Sequence, residues 1–161
     1  MDNSQITFRF ASPEDIPLIL QFIQALAEYE HLSHEVTATE ELLNEWLFEK
    51  HKAEVLFAEY EGEVVGCALF FYNFSTFLGR AGLYLEDLFI KPEHRKKGYG
   101  RAVFRRLAQL AVERGCGRLD WQCLDWNQPS IDFYLSLNAK PLNDWTTYRL
   151  TGEALSQLAN S

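Results

Sequence analysis

The sequence predicts an α/β (α+β) protein: a mixed, mostly antiparallel central sheet flanked by helices on both faces. Short apolar runs with strand alternation are separated by turn residues, which is typical of a sheet built from hairpins. Longer segments repeat apolar residues every three to four positions, which indicates amphipathic helices. The predicted order is βααβββαβαβα, with one parallel, right-handed strand–helix–strand step. At 161 residues, the chain is expected to form one domain over residues 1–161.

The first third of the chain predicts a short strand and then two helices. Gln5–Phe10 alternates as a strand. Ser12 then caps a helix, because a proline and two acids form its first turn and an apolar stripe continues toward Tyr29. A second helix is predicted after Thr37, because Glu40 three residues later would complete a capping box.

The rest of the chain alternates strands with helices. An antiparallel hairpin is predicted where two strand runs flank Glu61-Gly62-Glu63. Pro92 ends the next strand, and Gly115 and Gly117 end the helix after it. Asn127 and Thr151 are expected to cap the last two helices. The predicted strands are 54–60, 64–72, 83–90, 118–124 and 146–150, the last closing the sheet, and the helices are 99–114 and 128–137.

Composition and charge narrow the class of protein. Hydrophobic residues make up 47% of the chain, as in an ordinary globular protein. A net charge of −8 argues against general nucleic-acid binding, which needs a basic surface. The negative charge would attract a cationic substrate, and it is equally explained as a charge that only keeps the protein soluble. No apolar run reaches the roughly 18 residues of a membrane span, and the start MDNSQITFRF lacks a signal-peptide core. A cytoplasmic protein without a membrane partner is therefore expected.

The basic turn Arg95–Arg101 is a candidate anion site. It follows the strand run LYLEDLFI, contains two glycines and opens directly onto a helix. Glycines let successive backbone N–H groups point at one anion, and the helix start adds its positive end. The turn lacks both the Gly-Lys-Ser/Thr of a P-loop and the three-glycine dinucleotide fingerprint, which disfavours ATP and NAD. Taken alone, the pattern also fits a solvated turn that only caps a helix.

Motifs around this turn resemble a known family. LYLEDLFI, the turn RKKGYG and the segment WNQPSIDFY at 126–134 resemble the acetyl-CoA site of the GNAT acyltransferase superfamily. YLED, WNQPSIDFY and LAEYE at 26–30 are similar to its diamine (spermidine/spermine) acetyltransferase branch, and Asp125-Trp126-Asn127 also resembles members that act on lysine-like amines such as thialysine. The resemblance covers nearly the whole chain. It implies the GNAT fold, N-acetyl transfer from acetyl-CoA to a primary amine of a small cationic substrate, and a homodimer.

The resemblance also implies which residues bind acetyl-CoA. Main-chain groups of Leu88, Phe89 and Ile90 would bind the pantetheine arm. Asn127 and Ser130 would contact the cofactor from the other side, although Asn127 is also explained as a helix cap. The turn that would wrap the pyrophosphate, mainly with backbone N–H groups, consists of Arg95, Lys96, Lys97, Gly98, Tyr99, Gly100 and Arg101.

Acetyl transfer to an amine needs a base, because an alkylamine with a pKa near roughly 10.4 is charged at neutral pH. By resemblance Glu86 is that base, directly or through water, and Tyr134 protonates the departing thiolate. Strand alternation would send Glu86 and Asp87 to opposite faces unless a bulge intervenes. Tyr29 and Glu30 match the substrate-contacting pair of the branch, and with Glu86 and Asp87 they make up the predicted amine site.

Several alternatives stay open. Asp120–Gln122 does not match the polyamine enzymes, so the amine itself is undetermined. An enzyme acting on peptide or protein amines, or a module that binds CoA without turnover, would share the cofactor motifs. His31 and His34 have helical spacing but no further ligand cluster, so no metal is expected. Three cysteines without a CxxC spacing predict reduced thiols.

Overall fold

The computed structural model describes residues 5–161, so the first four residues of MDNSQITFRF, on which the signal-peptide prediction partly depends, lie outside the described residues. Within residues 5–161, no helix is long and apolar enough to cross a membrane. The strands are β1 (Thr7–Phe10), β2 (Glu54–Tyr60), β3 (Glu63–Ser75), β4 (Arg80–Ile90) and β5 (Leu119–Trp121). The α-helices are α1 (Ile16–Tyr29), α2 (Glu40–Leu43), α3 (Tyr99–Glu113), α4 (Gln128–Ser136) and α5 (Gly152–Ala159).

The strands form one sheet in the order β1-β2-β3-β4-β5. Strands β1 to β4 pair antiparallel with their neighbours, whereas β5 runs parallel to β4 and follows it in sequence after α3. The predicted mixed, mostly antiparallel sheet is therefore confirmed, and so is the predicted position of the parallel step.

Helices α1 and α3 cover opposite faces of the sheet. The apolar side of α1 packs on side chains of β2, β3 and β4, in a cluster made of Ile19, Phe22, Leu47, Val55, Phe57, Cys67 and Phe89. Phe104 of α3 packs edge-on against Trp121, with ring centroids 4.8 Å apart. Trp121 pairs with Leu85, whose side chain points away from the α1 face. The predicted helices on both faces are thus present.

The chain divides into two compact units, one that extends to Gln122 and one from Cys123 to Ser161. The first contains the whole sheet with α1, α2 and α3, and the second contains α4 and α5. A single domain over residues 1–161 stays a prediction.

Local sequence signals explain how the first elements begin. The backbone N–H of Ser12 donates to Asp15 Oδ2 at 2.8 Å, and a 3-10 turn at Pro13–Asp15 leads into α1. The β2–β3 hairpin turns at Glu61 and Gly62, whose φ angles of 50° and 78° are both left-handed. Two consecutive left-handed residues match the twist of a tight hairpin, which the sequence predicted.

The cap predicted for the second helix was wrong. Thr39, not Thr37, has the extended backbone of an N-cap, and its hydroxyl accepts from the N–H of Leu42 at 3.2 Å. Glu40 is therefore the first helical residue and cannot close a capping box from the third position. The helix continues as a π-helix at Asn44–Glu49.

The prediction that residues 146–150 close the sheet was also wrong. Residues 145–150 have no regular secondary structure, and Trp145 and Tyr148 are 81% and 92% exposed. Strand β5 is also shorter than the predicted 118–124. A segment with alternating strand-favouring residues forms a strand only when a neighbouring strand is free to hydrogen-bond with it. The local sequence pattern does not show whether such a neighbour exists.

Candidate active site

A β-bulge in β4 determines the face of the sheet on which Asp87 lies. Leu69 pairs with Asp87, but the next residue of β3, Phe70, pairs with Leu85, so Glu86 is the extra residue. An extra residue shifts strand alternation by one position. Asp87 therefore shares the α1 face with Leu69 and Cys67. The condition under which both acids could line one site is met.

The carboxyl group of Asp87 binds its proton more tightly than an ordinary aspartate does. Burial, followed by the negative charges of Glu86 and Glu30, raises its pKa from 3.8 to about 6. Burial also raises the pKa of Glu30, at the carboxyl end of α1. Glu86 is exposed. Strand alternation alone would have separated Glu86 from Asp87, whereas in the structure the charges of Glu86 and Glu30 both act on Asp87.

Negative charge continues along this face to β5. Tyr84 pairs with Asp120 across the β4–β5 ladder, and burial, then Glu86 and Asp120, raises the pKa of the Tyr84 phenol. We call Glu30, Asp87, Glu86, Tyr84 and Asp120 the acidic strip. Carboxylates in a partly desolvated row stabilise a bound cation, because the cation reduces their mutual repulsion.

The turn after β4 has the backbone of an anion nest. Lys96 and Gly98 have left-handed φ angles of 62° and 81°, and Gly98 is the N-cap of α3. Such alternation turns successive N–H groups toward one concave side, and the N-terminus of α3 adds its partial positive charge. Arg95 to Gly98 are exposed, whereas the Tyr99 side chain is only 6% exposed and packs against His94 and Tyr60. Tyr99 therefore anchors the turn.

The Arg95 side chain connects the turn to α1. Its Nε donates to the carbonyl oxygen of Ile90 at 2.9 Å, and its guanidinium lies 5.2 Å from the ring centre of Tyr29 and 4.9 Å from that of Phe89. Arg95 thus contacts both the end of β4 and the predicted substrate residue Tyr29. The sequence predicted Arg95 only as part of the basic turn Arg95–Arg101, which we call the phosphate turn.

A cavity of about 480 Å³ lies between α1 and the end of β4. It is lined by Leu18, Gln21, Phe22, Ala25, Glu28, Tyr29, Phe89, Lys91, Pro92 and Arg95. A wider hollow of about 550 Å³ beside α2 is lined by none of the predicted site residues. The first cavity is the better candidate site, since Arg95 and Tyr29 meet at its wall.

The second unit carries the remaining predicted site residues on α4. Asn127 is 7% exposed and is the N-cap of α4, and its side-chain oxygen accepts from the N–H of Ser130 at 3.4 Å. The predicted cap is confirmed. Tyr134 lies in the last turns of α4 and is half-buried, with its ring 5.7 Å from that of Phe133.

Within residues 5–161, neither His31 nor His34 belongs to a cluster of groups that could bind a metal ion. The group found there is Glu63, Glu93 and His94, whose donor atoms lie within 4.8 Å of one another. Glu63 is already paired with Lys91 at 3.4 Å, so a cation would compete with a lysine for it. Glu93 and His94 lie just before the phosphate turn, and no motif spacing in the sequence indicates this group.

Similarity to known proteins agrees with this geometry. A family model described as the acetyltransferase (GNAT) family matches residues 19–138. The thialysine N-epsilon-acetyltransferase of Bos taurus is 37% identical over 96% of this chain and 97% of that protein. The L-ornithine N5-acetyltransferase of Arabidopsis thaliana is 30% identical over 93% of this chain and 86% of that protein. Among solved structures, an integron cassette protein from the mobile metagenome of V. cholerae has a TM-score of 0.81 at 27% identity, covering 98% of this chain and 99% of that one.

Proposed function

Because the chain belongs to the acetyltransferase (GNAT) family, we propose that it transfers an acetyl group from acetyl-CoA to a primary amine of a small cationic substrate. Two relatives with nearly full-length similarity are named for N-acetylation of small amino-acid amines. The diamine and polyamine substrates suggested by the motifs belong to the same chemical class.

The observation that carries this proposal is the bulge that brings Asp87 beside Glu86 and Glu30. Three carboxylates close enough to act on one another attract an ammonium group. With a pKa of about 6, Asp87 is ionised at neutral pH and is a stronger base than an ordinary carboxylate. The Glu86–Asp87 pair therefore both binds the ammonium and accepts its proton, with the exposed Glu86 able to act through water.

The reaction balances with these residues. The ammonium group loses one proton to the Glu86–Asp87 pair, and the neutral nitrogen then forms a bond to the acetyl carbon. Main-chain N–H groups near Leu88 stabilise the oxyanion. The carbon–sulfur bond then breaks, the nitrogen loses its second proton to water, and Tyr134 gives a proton to the thiolate or stabilises it by a hydrogen bond. Water returns a proton to Tyr134 when it has given one.

Acetyl-CoA is the second substrate. The left-handed Lys96 and Gly98 and the start of α3 fit a pyrophosphate group, since they direct amides to one side. Asn127 and Ser130 of α4 would contact the cofactor, with main-chain groups of Leu88–Ile90 holding the pantetheine arm. The basic side chains of Arg95, Lys96, Lys97 and Arg101 add favourable charge.

The test is release of free CoA with a panel of amines. We expect turnover with at least one of lysine, thialysine, ornithine, putrescine and spermidine, and none with neutral alcohols.

Tyr134→Phe should lower kcat by about 10²-fold or more while the Kd for acetyl-CoA changes little. Tyr148→Phe, at a 92% exposed tyrosine, is the matched control. Glu86→Gln should move the pH–rate profile toward alkaline values. Binding of acetyl-CoA without turnover of any amine or basic peptide would contradict the proposal.

We also propose a homodimer in the cytoplasm. Support for the dimer comes from exposed apolar residues at the β3–β4 hairpin, where Phe74, Phe77 and Leu78 are 62%, 101% and 53% exposed. All three cysteines are free thiols, which fits a reducing compartment. Light scattering of the wild type and of Phe77→Ser tests the dimer, and a monomeric wild type would contradict it.

A further inference from the structure

We propose that Arg118 and Asp120 form a subsite for the α-ammonium and α-carboxylate of the substrate, so that the enzyme prefers amino acids with a terminal amine over amines without a carboxylate. This inference rests on the proposed function and specifies its substrate class. Arg118 and Asp120 lie before and within β5, at the end of the acidic strip remote from Glu30.

Arg118 and Asp120 form a polar group with Asn73. Arg118 Nε lies 3.1 Å from Asp120 Oδ2, and Asn73 Nδ2 donates to the same oxygen at 3.3 Å. The Arg118 and Asp120 side chains are 39% and 32% exposed, so a ligand can reach both. The pair is neutral and carries one charge of each sign. An α-amino acid end carries the same two charges, and guanidinium binds carboxylate through two parallel hydrogen bonds.

Gly82 makes room for this group on the α1 face. Asn73 pairs with Gly82, and a Cβ at position 82 would collide with Asn73 Oδ1 and lie 3.0 Å from Arg118 Cγ. The Arg118 side chain therefore lies over Gly82, on the face of the sheet that carries Asp87. Among the described residues, buried Asn73 Oδ1 has no hydrogen-bond partner. An unused acceptor is costly in a merely structural cluster, but a bound ammonium can satisfy it when Arg118 turns to the carboxylate.

The spacing of the two charged ends fits a substrate of lysine or ornithine length. Asp120 is in register with Tyr84 on the neighbouring strand, about 4.8 Å to its side, and Glu86 follows Tyr84 by two residues, about 7 Å along β4, so the backbones at Asp120 and Glu86 are about 8 Å apart. The terminal nitrogen of extended lysine lies about 6 Å from Cα, because five bonds of about 1.5 Å separate them. With the α-ammonium at the Asp120 carboxylate, the side chains of the Glu86–Asp87 pair cover the remaining distance to the terminal amine.

The middle of this path is suited to methylene groups. The rings of Phe71 and Tyr84 lie 5.1 Å apart on this face, and both residues are half-buried. Tyr84 is in register with Asp120 and precedes Glu86 by two residues, so it lies along the path between the two charged ends. An aliphatic chain can therefore lie on the aromatic pair while each end meets groups of opposite charge.

The test compares each amino acid with its decarboxylated form. For the wild type, we expect kcat/KM with L-lysine at least 10-fold above that with cadaverine, and the same order for L-ornithine against putrescine. Arg118→Gln should lower kcat/KM for L-lysine by about 10- to 100-fold, mainly through KM, because one charged hydrogen-bonding partner is lost. Its kcat/KM for cadaverine should stay within about 2-fold of the wild type. Arg118→Lys should recover part of the loss.

Two further variants separate recognition from folding. Arg106→Gln removes an arginine of similar exposure that pairs with Glu113 on α3. It should leave kcat/KM unchanged for both L-lysine and cadaverine. Gly82→Ala displaces Asn73 and Arg118 without changing any charge. It should lower kcat/KM for L-lysine more than kcat/KM for cadaverine.

Equal wild-type kcat/KM for L-lysine and cadaverine, or an equal loss of both in Arg118→Gln, would overturn the inference. A wild type that turns over no amine at all would instead refute the proposed function. In that case calorimetric titration with L-lysine and cadaverine still tests the subsite. Lysine binding that Arg118→Gln abolishes would support it, and lysine binding no tighter than that of cadaverine would overturn it.

Discussion

Asp87→Asn should stabilise the protein at neutral and alkaline pH while lowering its activity. The substitution keeps the shape of the side chain and removes a charge that burial, Glu86 and Glu30 all disfavour. The pKa rises from 3.8 to about 6, and one pH unit is worth about 1.36 kcal/mol. Charging Asp87 in the folded protein therefore costs about 3 kcal/mol. Desolvation of the new amide offsets part of this gain, so a net stabilisation of about 2 kcal/mol is expected at pH 8.

The gain should depend on pH in a defined direction. The folded-state pKa of Asp87 is above its ordinary value, so the folded protein holds the proton more tightly than the unfolded chain does. The stability contributed by the bound proton is fully present below pH 3.8 and is lost as pH rises through about 6. The advantage of Asp87→Asn over the wild type should therefore be absent near pH 4 and develop between pH about 4 and 7.

Urea unfolding of both proteins from pH 4 to pH 8 measures this difference. Glu41→Gln, which removes an exposed carboxylate of α2, is the control for the effect of removing one negative charge on the free energy of unfolding. Glu86→Gln should lower the pKa of Asp87, since it removes one of the charges that raise it, and should shift the pH dependence of wild-type stability to lower pH. If Asp87→Asn differs from the wild type by the same free energy at every pH, the electrostatic argument is refuted. Retained kcat in Asp87→Asn would separately remove Asp87 from the chemistry.

Two predictions concern other parts of the first unit. Arg95→Ala should raise KM for both acetyl-CoA and the amine, because Arg95 joins the phosphate turn to Tyr29 through contacts worth about 0.5–2 kcal/mol. Steady-state kinetics measures this, with Arg105→Ala, at an exposed arginine of α3, as the control, and an unchanged amine KM would contradict the connection. Asp15→Asn should destabilise the protein by about 1 kcal/mol, because Asp15 accepts from Ser12 N–H and pairs with Arg9 at 2.8 Å. The pKa of Asp15 is lowered from 3.8 to about 2, so its contribution is present above pH 3.8 and is lost as pH falls through about 2. Thermal unfolding at pH 7 and pH 2 tests this, and a difference that persists undiminished at pH 2 would contradict it.

The sequence predicts elements best where the determining interactions are local. Strand β2 begins and ends at the predicted residues, because its alternation and the tight turn at Glu61-Gly62 lie within one hairpin. Helix α3 also matches closely, since Gly98 starts it and Gly115 follows its end. The strand predicted at residues 146–150 fails because a strand needs a partner from elsewhere in the chain.

The candidate site follows the same division. The phosphate turn is a local pattern of glycines and basic residues, so the sequence locates it. The burial of Asp87, the contact of Arg95 with Tyr29 and the position of Arg118 over Gly82 depend on neighbours far away in sequence. Residue types alone cannot give such distances.

The bulge at Glu86 is required by the core as well as by the site. Cys67, Leu69, Phe71 and Asn73 of β3 share one face, and their partners on β4 are Phe89, Asp87, Tyr84 and Gly82. Without the extra residue, unbroken alternation would place Asp87 and Phe89 on the face opposite Tyr84 and Gly82. Phe89 would then leave the cluster under α1, or else Tyr84 would leave the acidic strip. Packing of Phe89 against Phe22 therefore holds in place the same register that joins Asp87 to Tyr84 and Asp120. This coupling explains how a repulsive row of acids persists, because the apolar core on either side of the bulge determines where those acids lie.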